Sequence, residues 1–164
     1  MQITLCGHSA GCTLITQILE REHTLSQFGV REIGPIPSIQ RAIFLDGIYN
    51  VTSLVEQYPD YCGFIHEAFG DNMERCNIIS SGKQDKDLVK HIYGQLDKIT
   101  VIHSIWDELI SLKQPEEFIN WLLECGVDER LVTEGCYFDS FGKHNDVYQS
   151  KKVAHILVTD MFTR

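Results

Sequence analysis

The sequence predicts an α/β fold: a mostly parallel sheet of about four strands with helices on both faces, built as one domain over residues 1–164. Three observations carry that prediction. Four short runs of branched apolar residues recur along the chain, and segments with apolar residues at helical spacing separate them. Each strand is a continuous apolar run rather than an alternating one, which is the pattern of a sheet covered on both faces. With 43% hydrophobic residues in 164, the chain can bury the core of one ordinary domain.

The first strand runs from Ile3 to Cys6. Ala10 to Glu22 follows as a helix, with Leu14, Ile15, Ile18 and Leu19 on one face. Glu22 to Ser38 is polar and contains Gly34, Pro35 and Pro37, so it is expected to be a loop. Arg41 to Asp46 (RAIFLD) is the second strand. Helical segments are predicted at Val51–Gln57 and Tyr61–Phe69, irregular chain from Asp71 to Gly82, and a short helix over Asp85–Tyr93. Ile99 to Ser104 (ITVIHS) gives the third strand. Pro115 then suits the first turn of a helix whose apolar face is Phe118, Leu122 and Leu123 and which Gly126 ends. Arg130 to Phe138 (RLVTEGCYF) is the predicted fourth strand. A loop from Asp139 to Tyr148 and a helix from about Val147 to Phe162 close the chain.

Charge and composition exclude several functions. The 23 acidic against 14 basic residues give a net charge of −9, which repels a phosphate backbone, so nucleic acid is not an expected partner. No apolar run approaches the ~20 residues that cross a bilayer, and no basic-then-apolar leader precedes the first strand. No membrane partner is expected, and a cytoplasmic protein is. The six cysteines are dispersed, without the close pairs of a zinc site, and read as reduced thiols.

Between the first strand and the first helix stands Gly7-His8-Ser9-Ala10-Gly11, a G-x-S-x-G pattern at a strand-to-helix junction. In that context small residues at 7 and 11 permit a sharp turn, Ser9 presents its hydroxyl above the sheet, and the Ala10 N–H faces a developing oxyanion. The alternative is that Ser9 only caps the helix. A nucleophilic serine needs a histidine base and a carboxylate to orient it, in the chain order Ser, acid, His. His144, in the Gly-flanked loop before the last helix, occupies the base's place. His23, His66, His91 and His155 fall away from strand ends, His8 flanks the serine, and His103 ends a strand but precedes the acid. For the acid, Asp107 is favoured, Asp46 at the end of the second strand competes, and Glu108 is a distant third. Asp46 also reads as a turn residue before Gly47, and Asp107 as a helix cap. Ser9, Asp107 and His144 are expected to converge at one end of the sheet, with the serine hydroxyl in hydrogen-bond reach of His144.

Beyond these spacings, Phe44–Phe64 (FLDGIYNVTSLVEQYPDYCGF), Val101–Leu112 (VIHSIWDELISL) and Gly142–Leu157 (GKHNDVYQSKKVAHIL), together with GHSAG, closely resemble kynurenine formamidase, or arylformamidase, of the fungal type. The resemblance covers essentially the whole chain and implies the C-terminal part of an α/β-hydrolase fold. Carried over position by position, it places the family's triad on Ser9, Asp107 and His144. It implies hydrolysis of N-formyl-L-kynurenine to L-kynurenine and formate, a step of tryptophan breakdown toward NAD synthesis, without metal or organic cofactor. The implied partner is that small molecule; a homodimer is left open. Tyr49, Phe69 and Trp106 are candidates for an aromatic substrate pocket, with plain core packing as the alternative. The family carries a His-Gly-Gly-x-Trp oxyanion segment well before the serine, which these residues do not include. The chain therefore reads as a C-terminal portion, and alone it is expected to be a poor enzyme. The rival readings are a general carboxylesterase of the same fold and a catalytically inactive remnant.

Overall fold

The computed structural model describes residues 3–30, 37–83 and 85–162. Its elements are β1 (Ile3–His8), α1 (Ala10–Leu19), α2 (Arg21–Ser26), β2 (Ile39–Leu45), α3 (Val51–Gln57), α4 (Cys62–Phe69), α5 (Lys86–Tyr93), β3 (Lys98–Ser104), α6 (Lys113–Glu124), α7 (Glu129–Thr133), β4 (Cys136–Asp139) and α8 (Lys151–Phe162). The strands pair in parallel in the order β1-β2-β3-β4, with helices in the crossovers, which is the α/β class expected from the sequence.

Residue alternation assigns each strand side chain to one of two layers. Ala42 and Phe44 of β2 and Ile99 and Val101 of β3 pack with Cys12 and Ile15 of α1, Val89 and Tyr93 of α5, and Phe118 and Leu122 of α6. Ile43, Leu45 and Ile102 face the other way, against Val153 of α8 and against Phe141 and Val147 in the segment before it. Both faces are apolar, which is why the strands read as unbroken hydrophobic runs. The helix over α6 ends as its sequence predicts. Gly126 takes φ 80, its N–H bonds Leu123 O at 2.9 Å and the Val127 N–H bonds Leu122 O at 3.1 Å.

Three elements differ from expectation. The first helix stops at Leu19 and a second one, α2, occupies the start of the expected loop; residues 31–36 of that stretch lie outside the described residues. The break falls at Glu20, whose carboxylate is drawn into the core to accept from Tyr93 Oη at 2.6 Å and Ile78 N at 2.7 Å. The predicted fourth strand is half helix: Asp128 Oδ1 accepts from Arg130 N and Leu131 N at 2.8 and 3.3 Å, nucleating α7, and β4 begins only at Cys136. Between them, Gly135 lies so close to β3 that a Cβ there would stand 2.0 Å from Ile99 O. Finally, Val147–Gln149 is a 3-10 turn, and α8 starts after an extended Ser150.

No helix among the described residues is long and apolar enough to cross a membrane. All six cysteines are unpaired. At the C-terminal edge of the sheet the strand ends are tied in sequence: Ser9 N donates to Leu45 O and Asp46 N to Ile102 O, both at 3.0 Å, and Ile105 N donates to Asp139 O at 3.0 Å. That edge carries the candidate site.

Candidate active site

β1 ends at His8 and α1 begins at Ala10, so one residue reverses the chain. Ser9 does so at φ 56, ψ −122, a left-handed conformation that costs a non-glycine residue about 1–3 kcal/mol. Hydrogen bonds hold it there: besides the bond to Leu45, Ser9 O accepts from Cys12 N at 3.0 Å and Ile48 N at 3.2 Å. Gly7 is required by close approach, since a Cβ on it would stand 2.5 Å from Gly11 O. Gly11 is not: an added Cβ there meets nothing within 4 Å, so the expectation that both glycines serve the turn holds for Gly7 alone. The Ser9 side chain makes no capping bond to α1, which removes the helix-cap alternative. Ala10 is exposed at the first position of α1, and its N–H has no partner among the described residues.

Across the edge, His144 Nδ1 and Asp107 Oδ2 lie 2.7 Å apart, both side chains almost fully buried. Asp107 is itself fixed: Oδ1 accepts from Leu109 N at 2.8 Å and Ile110 N at 2.9 Å. Burial pushes its pKa up, but the bonds from His144, Ile110 and Leu109 outweigh burial and leave it below the ordinary carboxylate value. Burial pushes His144 down, and the Asp107 bond with the nearby charges of Asp107, Asp46 and Glu108 reverses this, leaving it above the usual histidine value. Glu108, the third acid candidate, accepts from the His144 backbone N–H at 3.1 Å and so steadies the loop rather than the ring. Among the described residues, neither the Ser9 hydroxyl nor His144 Nε2 makes a hydrogen bond, so the expected Ser9–His144 bond is not made in this state.

Three further groups close around the pair. His8 Nε2 lies 2.8 Å from His144 O, and the two rings sit 4.6 Å apart. His103, wholly buried on β3, donates from Nε2 to Ile110 O at 3.0 Å and lies 3.6 Å from Asp107 Oδ2. Asp46, also wholly buried, takes φ 40, and its Oδ1 accepts from Ser104 N at 2.7 Å. Among the described residues Ser9 and Asp46 are the non-glycine positions with positive φ, and they end neighbouring strands. Burial pushes His8 and His103 down and Asp46 up to about 7. One nitrogen or oxygen from each of Asp46, His103 and Asp107 lies within 4.8 Å of the other two, and the same holds for His8, Asp46 and His144; each imidazole also has one nitrogen engaged by a carbonyl or carboxylate, which ties the groups into one hydrogen-bonded cluster. In the sequence His103 precedes the acid and so lacks the base's place in chain order; its position at the end of a buried strand is the signal that marks it.

The pocket candidates separate. Tyr49 is wholly buried and stacks on Phe118 at 4.3 Å in the core, so it does not line a pocket as the sequence reading allowed. Phe69 packs on the cluster of Ile48, Val51, Leu54 and Ile65. Trp106, beside Asp107, is 64% exposed. Away from the site, a cavity of about 370 Å³ lies at the opposite end of the sheet, lined by Glu20, Ile39, Leu88 and Ile92 among others.

These features define a candidate hydrolytic site on the C-terminal edge of a parallel α/β sheet. No family model matches the chain. Over nearly its whole length, however, it is similar to the kynurenine formamidases of fungi. It is 31% identical to that of Saccharomyces cerevisiae over 160 residues, covering 93% of this chain and 58% of the relative. With that of Meyerozyma guilliermondii it shares 34% over 162 residues, 96% of this chain and 57% of the relative. With that of Eremothecium gossypii the figures are 33% over 172 residues, 98% and 64%. The chain thus spans roughly three fifths of the length of these curated relatives, in keeping with the C-terminal portion that the sequence resemblance implies.

Proposed function

We propose that this chain supplies the nucleophile, base and acid of a serine-dependent formamidase that cleaves N-formyl-L-kynurenine to L-kynurenine and formate. The observation that carries the proposal is the 2.7 Å contact between Asp107 Oδ2 and His144 Nδ1. It keeps the proton of the neutral imidazole on Nδ1 and the lone pair on Nε2, which is the tautomer a general base needs. In the reaction, Ser9 Oγ attacks the formyl carbon while His144 Nε2 takes its proton. The Ala10 N–H stabilises the oxyanion, and collapse expels the aniline nitrogen, which receives the proton back from His144. Water, deprotonated by His144, then attacks formyl-Ser9 and releases formate. The similarity to fungal kynurenine formamidases supports this substrate, and exposed Trp106 beside Asp107 offers an aromatic surface to it.

The test is release of L-kynurenine from N-formyl-L-kynurenine, compared with hydrolysis of simple aryl esters, alongside labelling by a fluorophosphonate. The proposal expects the label on Ser9 and preference for the formamide. Label at another residue, or turnover that survives Ser9→Ala, would end the serine mechanism; preference for aryl esters would make the site that of a general carboxylesterase.

A further inference from the structure

The site contains a second carboxyl that the mechanism leaves idle. Asp46 is wholly buried, and one of its oxygens, one His103 ring nitrogen and one Asp107 oxygen all lie within 4.8 Å of one another; the same holds for Asp46 with His8 and His144. Two carboxylates held this close in a buried site do not both ionise readily unless donors compensate each. The donors are divided unequally. Asp107 receives three, from His144 Nδ1, Leu109 N and Ile110 N. Asp46 receives one, from Ser104 N, and its Oδ2 is buried without a partner among the described residues. Facing it, His103 Nδ1 is likewise buried and unpartnered, 3.8 Å from Asp46 Oδ1, because Nε2 is the nitrogen bonded to Ile110 O.

From this juxtaposition, which rests on the proposed roles of Asp107 and His144, we propose that Asp46 is a positioning residue that holds a proton in the resting site, so that one negative charge rather than two faces the His144 ring. A proton there removes the like-charge contact with Asp107 and leaves the buried, unpartnered Asp46 Oδ2 uncharged. The groups facing Asp46 support it. Cys12 and Tyr49, on the core side, are pushed up by burial and stay neutral, and His8 and His103 are pushed down by burial and stay neutral too. Glu108 adds negative charge, and His144 is the one neighbour whose positive form is favoured. Loss of the Asp46 proton therefore makes His144 hold its own proton more tightly, and Asp46 sets the pH at which the base becomes free.

The test needs no substrate, so it stands or falls apart from the formamidase reading. In the full chain carrying ¹³C-labelled aspartate, the Asp46 carboxyl is followed against pH, assigned by its disappearance in Asp46→Asn, while ring ¹⁵N shifts follow His144. The proposal expects Asp46 to titrate near 7 while Asp107 remains ionised far below. In Asp46→Asn it expects the His144 midpoint to fall by about half a pH unit or more, because the second charge can no longer form. Titration of Asp46 in the ordinary carboxylate range near ~3.9, or an unmoved His144, would overturn it. If Asp46→Asn fails to fold, the wild-type carboxyl midpoint, assigned through its coupling to the neighbouring Gly47 amide, decides alone. Absence of formamidase turnover would leave this result untouched.

Discussion

Replacing Asp107 by Asn keeps the shape of the side chain and inverts one hydrogen bond. Asp107 Oδ1 is pinned by two backbone donors, Leu109 N at 2.8 Å and Ile110 N at 2.9 Å. The amide oxygen of Asn must take that position, because turning the NH₂ toward two N–H groups would set donors against donors. The NH₂ then replaces Oδ2 and faces His144 Nδ1 at 2.7 Å. Two N–H groups cannot share that contact, so the imidazole moves its proton to Nε2 and offers a lone pair at Nδ1. The nitrogen that should receive the Ser9 proton now already carries one. In the serine-protease template this tautomer inversion lowers turnover on the order of 10⁴-fold, about 5 kcal/mol of barrier. We expect a loss of that size in formamide hydrolysis and in fluorophosphonate labelling, with the Cα trace and the unfolding midpoint little changed. Ring ¹⁵N shifts should show the proton on Nε2. A loss smaller than about tenfold, or a proton still on Nδ1, would refute the reasoning and point to another acceptor for the imidazole, such as Asp46, one oxygen of which lies within 4.8 Å of a His144 ring nitrogen.

Three other outcomes are expected. Ser9→Ala and His144→Ala should each lower turnover by several orders of magnitude and the double variant by little more, since residues that act as a unit are not additive; multiplicative losses in the kinetics would break the pair. Gly7→Ala should destabilise by about 1–3 kcal/mol or more, read from the denaturant midpoint, because its Cβ would stand 2.5 Å from Gly11 O; an unchanged midpoint refutes the close approach. Glu20, wholly buried, has its pKa pushed up by burial to about 7 from 4.5. The fold thus favours the protonated form, so its contribution is full below pH ~4.5 and is lost as pH rises toward ~7, on the order of 3 kcal/mol. Glu20→Gln should remove that share of the slope and leave the share of Asp46, whose shift has the same sign; an undiminished slope between pH 5 and 7 would refute the assignment.

The sheet was legible because a covered parallel strand needs apolar residues on both faces, and RAIFL and ITVIH supply them in unbroken runs. Helix ends with local causes were legible as well: Gly126 and Pro115 act through their own backbone. What failed were elements decided at a distance. Nothing local in Leu19-Glu20-Arg21 says that Glu20 turns inward to Tyr93, a residue 73 positions away. Arg130 to Thr133 has the branched composition of a strand, and the cap from Asp128 together with the Gly135 contact on β3 overrides it. In the candidate site, the Asp107–His144 contact and the sharp turn at Ser9 were legible because each residue sits at a strand end or in the loop beyond one. Asp46 reads as a turn residue and His103 as a strand terminus in the sequence, because which donors reach them is decided by the fold.

That choice of donors connects the backbone to the chemistry. Ser9 and Asp46 close β1 and β2, each at a positive φ, and the two turns support each other: Ile48 N, just past Asp46, bonds Ser9 O at 3.2 Å, and Thr13 Oγ1 of α1 bonds Ile48 O at 2.8 Å. Gly47 between them is pressed so close that a Cβ would meet the Tyr49 ring at 2.6 Å and Cys12 Cβ at 2.8 Å. Strain at one position is thereby maintained by packing at the other, which is how a marginally stable chain can keep two unfavourable backbone conformations side by side. Turning Ser9 left-handed lifts its hydroxyl clear of α1 instead of letting it cap the helix. Turning Asp46 left-handed carries its carboxyl into the cluster of His103, Asp107 and His144, with a single backbone donor from Ser104.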